Sequence, residues 1–214
     1  MKRLVLTAAL WASLLSGAIP GAEWTPARGR LMTRWARDVT PDKAHSEYPR
    51  PQMVRTDWLN LNGLWQLAMA RKDEEPPFGK SLPQQILVPF PPESALSGVM
   101  KPVERVWYRR TFEVKQDWAG RRVLLHFGAV NWETTVWVNG KKLDTHRGGY
   151  DSFSVDITGA LRPNGVQELI LEVWNPIDSG PQPLGKQVRK PGGIMYTAST
   201  GIWQTARQIG RAHV

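Results

Sequence analysis

From Arg50 onward the chain is built of short apolar alternations separated by turn-forming residues. In Val106 to Val114, Val106, Tyr108, Arg110, Phe112 and Val114 share one period, while Trp107, Arg109, Thr111 and Glu113 share the other. A strand sends successive side chains to opposite faces, so this spacing predicts a strand. The same pattern predicts strands over 64–69, with Trp65, Leu67 and Met69 on one face, over 122–127, with Val123, Leu125 and Phe127, and over 168–174, with Leu169, Leu171 and Val173. Shorter runs at Ile86 to Val88, Phe153 to Ile157 and Gly201 to Ala206 extend the set. Thr134 to Val138 and Lys141 to His146 flank Asn139-Gly140. A type I′ turn needs positive φ at both central positions, which Asn and Gly tolerate best, so these pieces predict a β-hairpin. About eight short strands with turn signals between them, and no long helical period, predict an all-β protein, an antiparallel β-sandwich.

The two ends differ from this texture. Lys2 and Arg3 precede an apolar run from Leu4 to Leu15, and small residues follow at Ser16, Gly17, Ala18, Gly21 and Ala22. That order predicts an export signal over 1–22, cleaved after Ala18 or Ala22, in a run shorter than the roughly 20 residues a bilayer span needs. The expected destination is periplasmic or secreted, with no membrane attachment after cleavage. Residues 23–49 form a leader segment in which Pro41 and Pro49 limit Leu31 to Arg37 to a short helical turn. The sandwich is expected over 50–208. Ile209 to Val214 is the translation of ATC-GGA-AGA-GCA-CAC-GTC, a common library adapter, so 209–214 is expected to be read-through of that adapter.

Composition narrows the chemistry. Nineteen Gly and seventeen Pro suit many tight turns. The absence of Cys excludes disulfides, zinc–thiolate sites and a Cys nucleophile. The net charge of +9 invites a nucleic-acid partner. However, Lys2 and Arg3 belong to the signal, and Arg207 and Arg211 to the suspect end, which leaves 24 basic against 19 acidic side chains. These are scattered, so a solvated surface is expected and no nucleic acid. His45, His126, His146 and His213 lack metal-ligand spacing, and no cofactor is expected. Ser94, Ser97 and Ser199 lack the Gly-x-Ser-x-Gly elbow of serine hydrolases. Glu93, Glu104 and Glu133 are loop carboxylates that no spacing joins into a catalytic pair, and they are expected as surface or network groups.

Tryptophans on the regular alternations are expected in the core. Trp132 follows the Gly128-Ala129-Val130-Asn131 turn, so core and loop rim are equally open to it. The segment from Ser179 to Thr200 is Pro/Gly-rich and carries Lys186, Arg189, Lys190 and Tyr196. Irregular loops of this length often carry function.

Several blocks occur in a familiar order. They are Asp57-Trp58-Leu59-Asn60-Leu61-Asn62-Gly63-Leu64-Trp65, Val88-Pro89-Phe90-Pro91-Pro92-Glu93-Ser94, Val106-Trp107-Tyr108-Arg109-Arg110-Thr111-Phe112 and Phe127-Gly128-Ala129-Val130-Asn131-Trp132. Trp137-Val138-Asn139-Gly140, His146-Arg147-Gly148-Gly149-Tyr150 and Gly201-Ile202-Trp203-Gln204-Thr205 complete the series. Together they resemble the N-terminal sugar-binding domain of glycoside hydrolase family 2, the β-galactosidase and β-glucuronidase group. In physical terms, Gly148-Gly149 allows a backbone path closed to other residues, after which Tyr150 packs. The resemblance implies a galactose-binding-like jelly roll. It also implies a carbohydrate substrate and downstream domains of the same polypeptide as partners.

The family's reaction is retaining hydrolysis of a β-glycoside by two glutamates on a (β/α)8 barrel, and this chain carries neither, so catalytic residues are expected to be none. The resemblance turns the late loop toward that barrel. It makes Arg189 and Tyr196, with Trp132, candidates for substrate-side or interdomain contact. Met195 stands where some relatives place an acidic residue, and Pro102-Val103-Glu104-Arg105 stands where they place an Asn. A stand-alone carbohydrate-binding module is the alternative reading.

Overall fold

β-Branched and aromatic side chains alternate with polar ones along most of the chain, and the backbone follows them into antiparallel strands. The computed structural model describes residues 24–29, 31–50, 52 and 54–211. The strands are β1 (Trp58–Asn60), β2 (Gly63–Met69), β3 (Gln84–Val88), β4 (Arg105–Phe112), β5 (Arg122–Phe127) and β6 (Val130–Asn131). They continue with β7 (Glu133–Val138), β8 (Lys141–Arg147), β9 (Phe153–Asp156), β10 (Gln167–Trp174), β11 (Gly201–Ile202) and β12 (Ala206–Arg211). One sheet has the order β3-β2-β4-β10-β7-β8, the other β1-β12-β5-β9, and β6 pairs with β11. This is the expected antiparallel sandwich of jelly-roll type. The described helical elements, such as Arg34–Asp38 and Gln116–Trp118, are short 3-10 turns.

The two sheets meet over one apolar layer. Trp65, Leu67, Tyr108, Leu169 and Leu171 enter it from the larger sheet, and Val123, Leu125, Phe127 and Ala206 from the smaller. β10 is paired on both edges, with β4 and with β7. It is also covered on both faces. Ile170 points outward into a second apolar cluster with Trp107 and Trp137, packed under Ala68, Ala70 and Leu82. The Glu168 carboxylate holds that cover down, accepting from Arg109 Nε at 2.7 Å and from the Gly79 amide at 3.0 Å. The tryptophans of the alternating strands are thus core, but they divide between two layers.

The predicted hairpin forms as expected, with φ of 51° at Asn139 and 84° at Gly140. Its outer strand β8 carries exposed Lys141, Lys142, Asp144 and Arg147, charges that keep an open edge from pairing with another chain.

Other elements differ from expectation. Gly201 to Ala206 is two strands: β11 pairs with β6, and the chain then bends at Trp203–Thr205 before β12 pairs with β5 and β1. Each half is too short to show a period. β12 continues to Arg211, past the boundary drawn at 208, and Ile209 is buried. Met69 lies at the end of β2, beyond the apolar layer, and is 50% exposed. The leader is stitched to the sandwich: the His45 carbonyl accepts from Asn60 Nδ2 at 3.0 Å and from Asn62 Nδ2 at 3.1 Å, and Ala44 is buried. The expected signal over 1–22 and the last residues, 212–214, lie outside the described residues.

Leu171→Ala should lower unfolding free energy by about 2–5 kcal/mol, through lost transfer energy and the cavity left behind. Val166→Ala, at an exposed turn, should stay within about 0.5 kcal/mol. Urea denaturation followed by tryptophan fluorescence measures both.

Candidate functional site

Three connections converge at one end of the sandwich: 128–132, 148–152 and 175–205. Buried polar side chains tie their backbones together, because amides that leave a sheet still need partners. Asn131 Nδ2 donates to the Ser199 carbonyl at 2.7 Å. Asn175 Nδ2 donates to Thr200 Oγ1 at 3.0 Å, and Asn175 Oδ1 accepts from the Ile177 amide at 3.0 Å. Gln187 reaches both ways, donating to Tyr150 Oη at 2.9 Å and accepting from the Ser199 amide at 2.8 Å. Gly149 is required for contact: a Cβ there would overlap Asn131. That closeness also lets Trp203 Nε1 donate to the Gly149 carbonyl at 2.8 Å.

Tyr150 packs after the Gly148-Gly149 path, but at the surface. It is 58% exposed and meets Trp203 edge-on at 6.0 Å.

Arg189 is held by its own chain. Its guanidinium contacts Glu104 at 2.6 Å, pairs with Asp178, and donates to the Pro176 carbonyl and Ser179 Oγ at 2.9 Å each. It fastens the late loop to the segment before β4. Tyr196 is 62% exposed, with Lys186 Nζ 5.8 Å from its ring. Hydrogen bonds from Val188 N to the Tyr196 carbonyl and from Tyr196 N to the Lys186 carbonyl place Tyr196 beside Arg189. Trp132 is partly buried between β6 and β7 and packs on Trp174 at 5.9 Å. All three candidates sit at this end of the fold. Among the described residues no hydrogen bond, ion pair or ring contact joins Trp132 to the other two. Glu133 and Arg147 pair with each other at 2.6 Å.

Glu93 is the group that sequence reasoning undervalued. Its Oε2 accepts from the Thr200 amide at 3.0 Å, while its Oε1 is shut off from solvent with no hydrogen-bond partner. Burial raises its pKa to about 7. The fully buried Tyr108 hydroxyl also lacks a hydrogen-bond partner, and burial and the Glu93 charge both push its pKa up. Gly201, with φ of 78°, lies against that hydroxyl, where a Cβ would overlap it. Only the Pro-rich run around Glu93 hinted that this carboxylate is enclosed. Among the described residues no group of three or more His, Asp or Glu side chains gathers where a metal could be held.

Open space lies beside this end. A cleft of about 450 Å³ is lined by His45, Arg50, Tyr150, Ser152, Trp203 and Arg207 among others. Its walls come from the leader, from the turn after β8 and from the bend between β11 and β12.

Residues 78–180 match the family described as "Glycosyl hydrolases family 2, sugar binding domain". The chain is similar to a β-glucuronidase of Paenibacillus borealis, 25% identical over 65% of this chain and 24% of that protein. It is also similar to a β-galactosidase of Thermoanaerobacter pseudethanolicus, 38% identical over 30% of this chain and 9% of that protein. Among solved structures, a Ruminococcus gnavus β-glucuronidase bound to uronic deoxynojirimycin superposes with a TM-score of 0.59 at 18% identity. That match covers 74% of this chain and 30% of the other. The chain thus aligns with about a quarter or less of the length of these two curated relatives.

Two measurements test the site's internal chemistry. Folded, Glu93 titrates near 7 rather than near its ordinary 4.5. The neutral carboxyl therefore supports the fold fully below about pH 4.5, and that support is lost as pH rises through 7. Wild type should lose about 3 kcal/mol over this window relative to Glu93→Gln, whose profile should be flatter, as urea unfolding at several pH values will read. Arg189→Ala should free the late loop and speed tryptic cleavage at Lys186 several-fold, followed by mass spectrometry.

Proposed function

We propose, for a chain whose residues 78–180 match the sugar-binding domain of family 2 glycosyl hydrolases, that it forms the leading part of an exported β-glycoside-cleaving enzyme. Its sandwich shapes one wall of the substrate site and docks on a catalytic domain of the same polypeptide. The export part of this reading rests on the charged, apolar and small-residue order of residues 1–22.

The observation that carries it is how the ionisable groups at the loop end are used. Retaining glycoside cleavage takes two carboxyl groups about 5–5.5 Å apart across an open site, one as acid and one as nucleophile. Here Glu104 and Asp178 are bound to Arg189, and Glu133 is bound to Arg147. Glu93 has a pKa suited to a proton donor, but it faces Tyr108 and the Thr200 amide inside the protein. What remains outward is Asp151, which contacts His146 at 3.4 Å, and aromatic and polar surface that can line a sugar site: Tyr150, Tyr196 and the partly buried Trp132. Such a surface positions substrate and excludes water, and the carboxylate pair comes from elsewhere. The alignment with about a quarter of a β-glucuronidase relative supports this division of labour.

The test compares this chain alone with the polypeptide read on from its gene, on aryl β-glucuronides, β-galactosides and β-mannosides. The chain alone should show no hydrolysis above the uncatalysed rate, and the longer polypeptide should cleave at least one of the three. Hydrolysis by this chain alone would overturn the proposal. So would a gene that stops here, which would leave a binding module without catalysis.

A further inference from the structure

Arg50, at the end of the leader, and Arg207, on β12, are far apart in sequence and meet in space. Both line the cleft of about 450 Å³, and both line an adjoining one of about 250 Å³ that adds Tyr48 and Arg55. Ser152 is shared as well. Arg207 is only 8% exposed, its Nε has no hydrogen-bond partner, and its guanidinium lies 5.6 Å from the Tyr48 ring. Burial lowers its pKa, Tyr48 opposes this through its hydroxyl, and the positive charges of Arg50 and Arg55 push down with burial.

Two acidic groups of the surrounding segments are engaged with arginines, and two more contact histidines. Asp57 meets Arg121 at 2.8 Å and Asp156 meets Arg122 at 2.7 Å, while Glu47 meets His45 at 3.3 Å and Asp151 meets His146 at 3.4 Å. A buried guanidinium without a counter-charge is unfavourable, and an anion brought to it is stabilised by the same field. Guanidinium groups present planar donors that match carboxylate and sulfate oxygens. Beside them stand Trp203 and Tyr150, whose polar edges are taken by the Gly149 carbonyl and by Gln187. Their remaining exposed surface is apolar and fits the carbon face of a sugar ring.

We propose that this double cleft binds an anionic carbohydrate, its carboxylate or sulfate group against Arg50, Arg55 and Arg207 and its ring against Trp203 and Tyr150. The site deepens the sugar-binding reading above and rests on it for the carbohydrate part. The charged group is argued from the arginines alone.

The full chain should be titrated by calorimetry with three tetrasaccharides: a galacturonate, an O-sulfated galactan and the neutral galactan. At least one anionic probe should bind at least about tenfold more tightly than the neutral one and weaken as salt rises to about 0.5 M. The stronger of the two identifies carboxylate or sulfate as the preferred group. Arg50→Ala and Tyr150→Ala, both at exposed side chains, should each weaken that binding about tenfold with an unchanged thermal midpoint. Equal binding of the neutral probe, binding unchanged in Arg50→Ala, or no binding of either anionic probe would overturn the proposal. Cleavage of neutral aryl glycosides by the longer polypeptide is read separately. If that activity persists while anionic binding is absent, the cleft assignment falls and the enzymatic reading stands.

Discussion

The apolar layer between the two sheets holds every connection of this domain in place, and β10 is the strand through which it acts. β4 and β7 saturate its backbone edges, Leu169, Leu171 and Val173 enter the main core, and Ile170 is sealed under the second cluster. A strand confined on four sides can neither slip in register nor tilt without opening both layers, since interiors are packed as densely as crystals. Its C-terminal end delivers Asn175, and its neighbours deliver Glu104 and Trp132, to the same end of the sandwich. The functional surface is therefore irregular in backbone but fixed in position.

At that end, groups that look like chemistry do structural duty. Arg189 ties the late loop to Glu104, Arg147 pairs with Glu133, and Asn131, Asn175 and Gln187 satisfy backbone groups that have left the ladders. Glycines permit the close approaches, with Gly149 against Asn131 and Gly201 against Tyr108. Glu93 is held in the same tight space with one oxygen unpaired, which makes its neutral form the better fit. A domain arranged this way supplies shape and an aromatic rim. Under the function proposed above, a domain of this kind contributes orientation rather than added reactive groups.

The charge distribution shows how folding can create a feature that composition hides. Spread along the chain, the basic excess reads as ordinary solvated surface. Folded, the leader's attachment at His45 and the pairing of β12 between β1 and β5 gather Arg50, Arg55 and Arg207 at one groove. Their potentials add where the aromatic rim is exposed, so charge and ring recognition fall within one cleft.

Most of the strands were legible in the sequence because their causes are local. Alternation assigns a strand its two faces, and Asn139-Gly140 supplies the turn that closes its hairpin. Ordered blocks from Asp57 to Thr205 carry the family resemblance, since each packs or turns in a way few other residues allow. Tertiary structure alone decided the rest. β1, β6 and the break between β11 and β12 are too short to show a period, and their pairing comes from distant partners. The outward turn of Tyr150, the enclosure of Glu93, the docking of the leader and the meeting of Arg50 with Arg207 depend on contacts across the fold. Such contacts leave no spacing in the chain, because burial and electrostatic field are properties of where residues meet and not of the order in which they are joined.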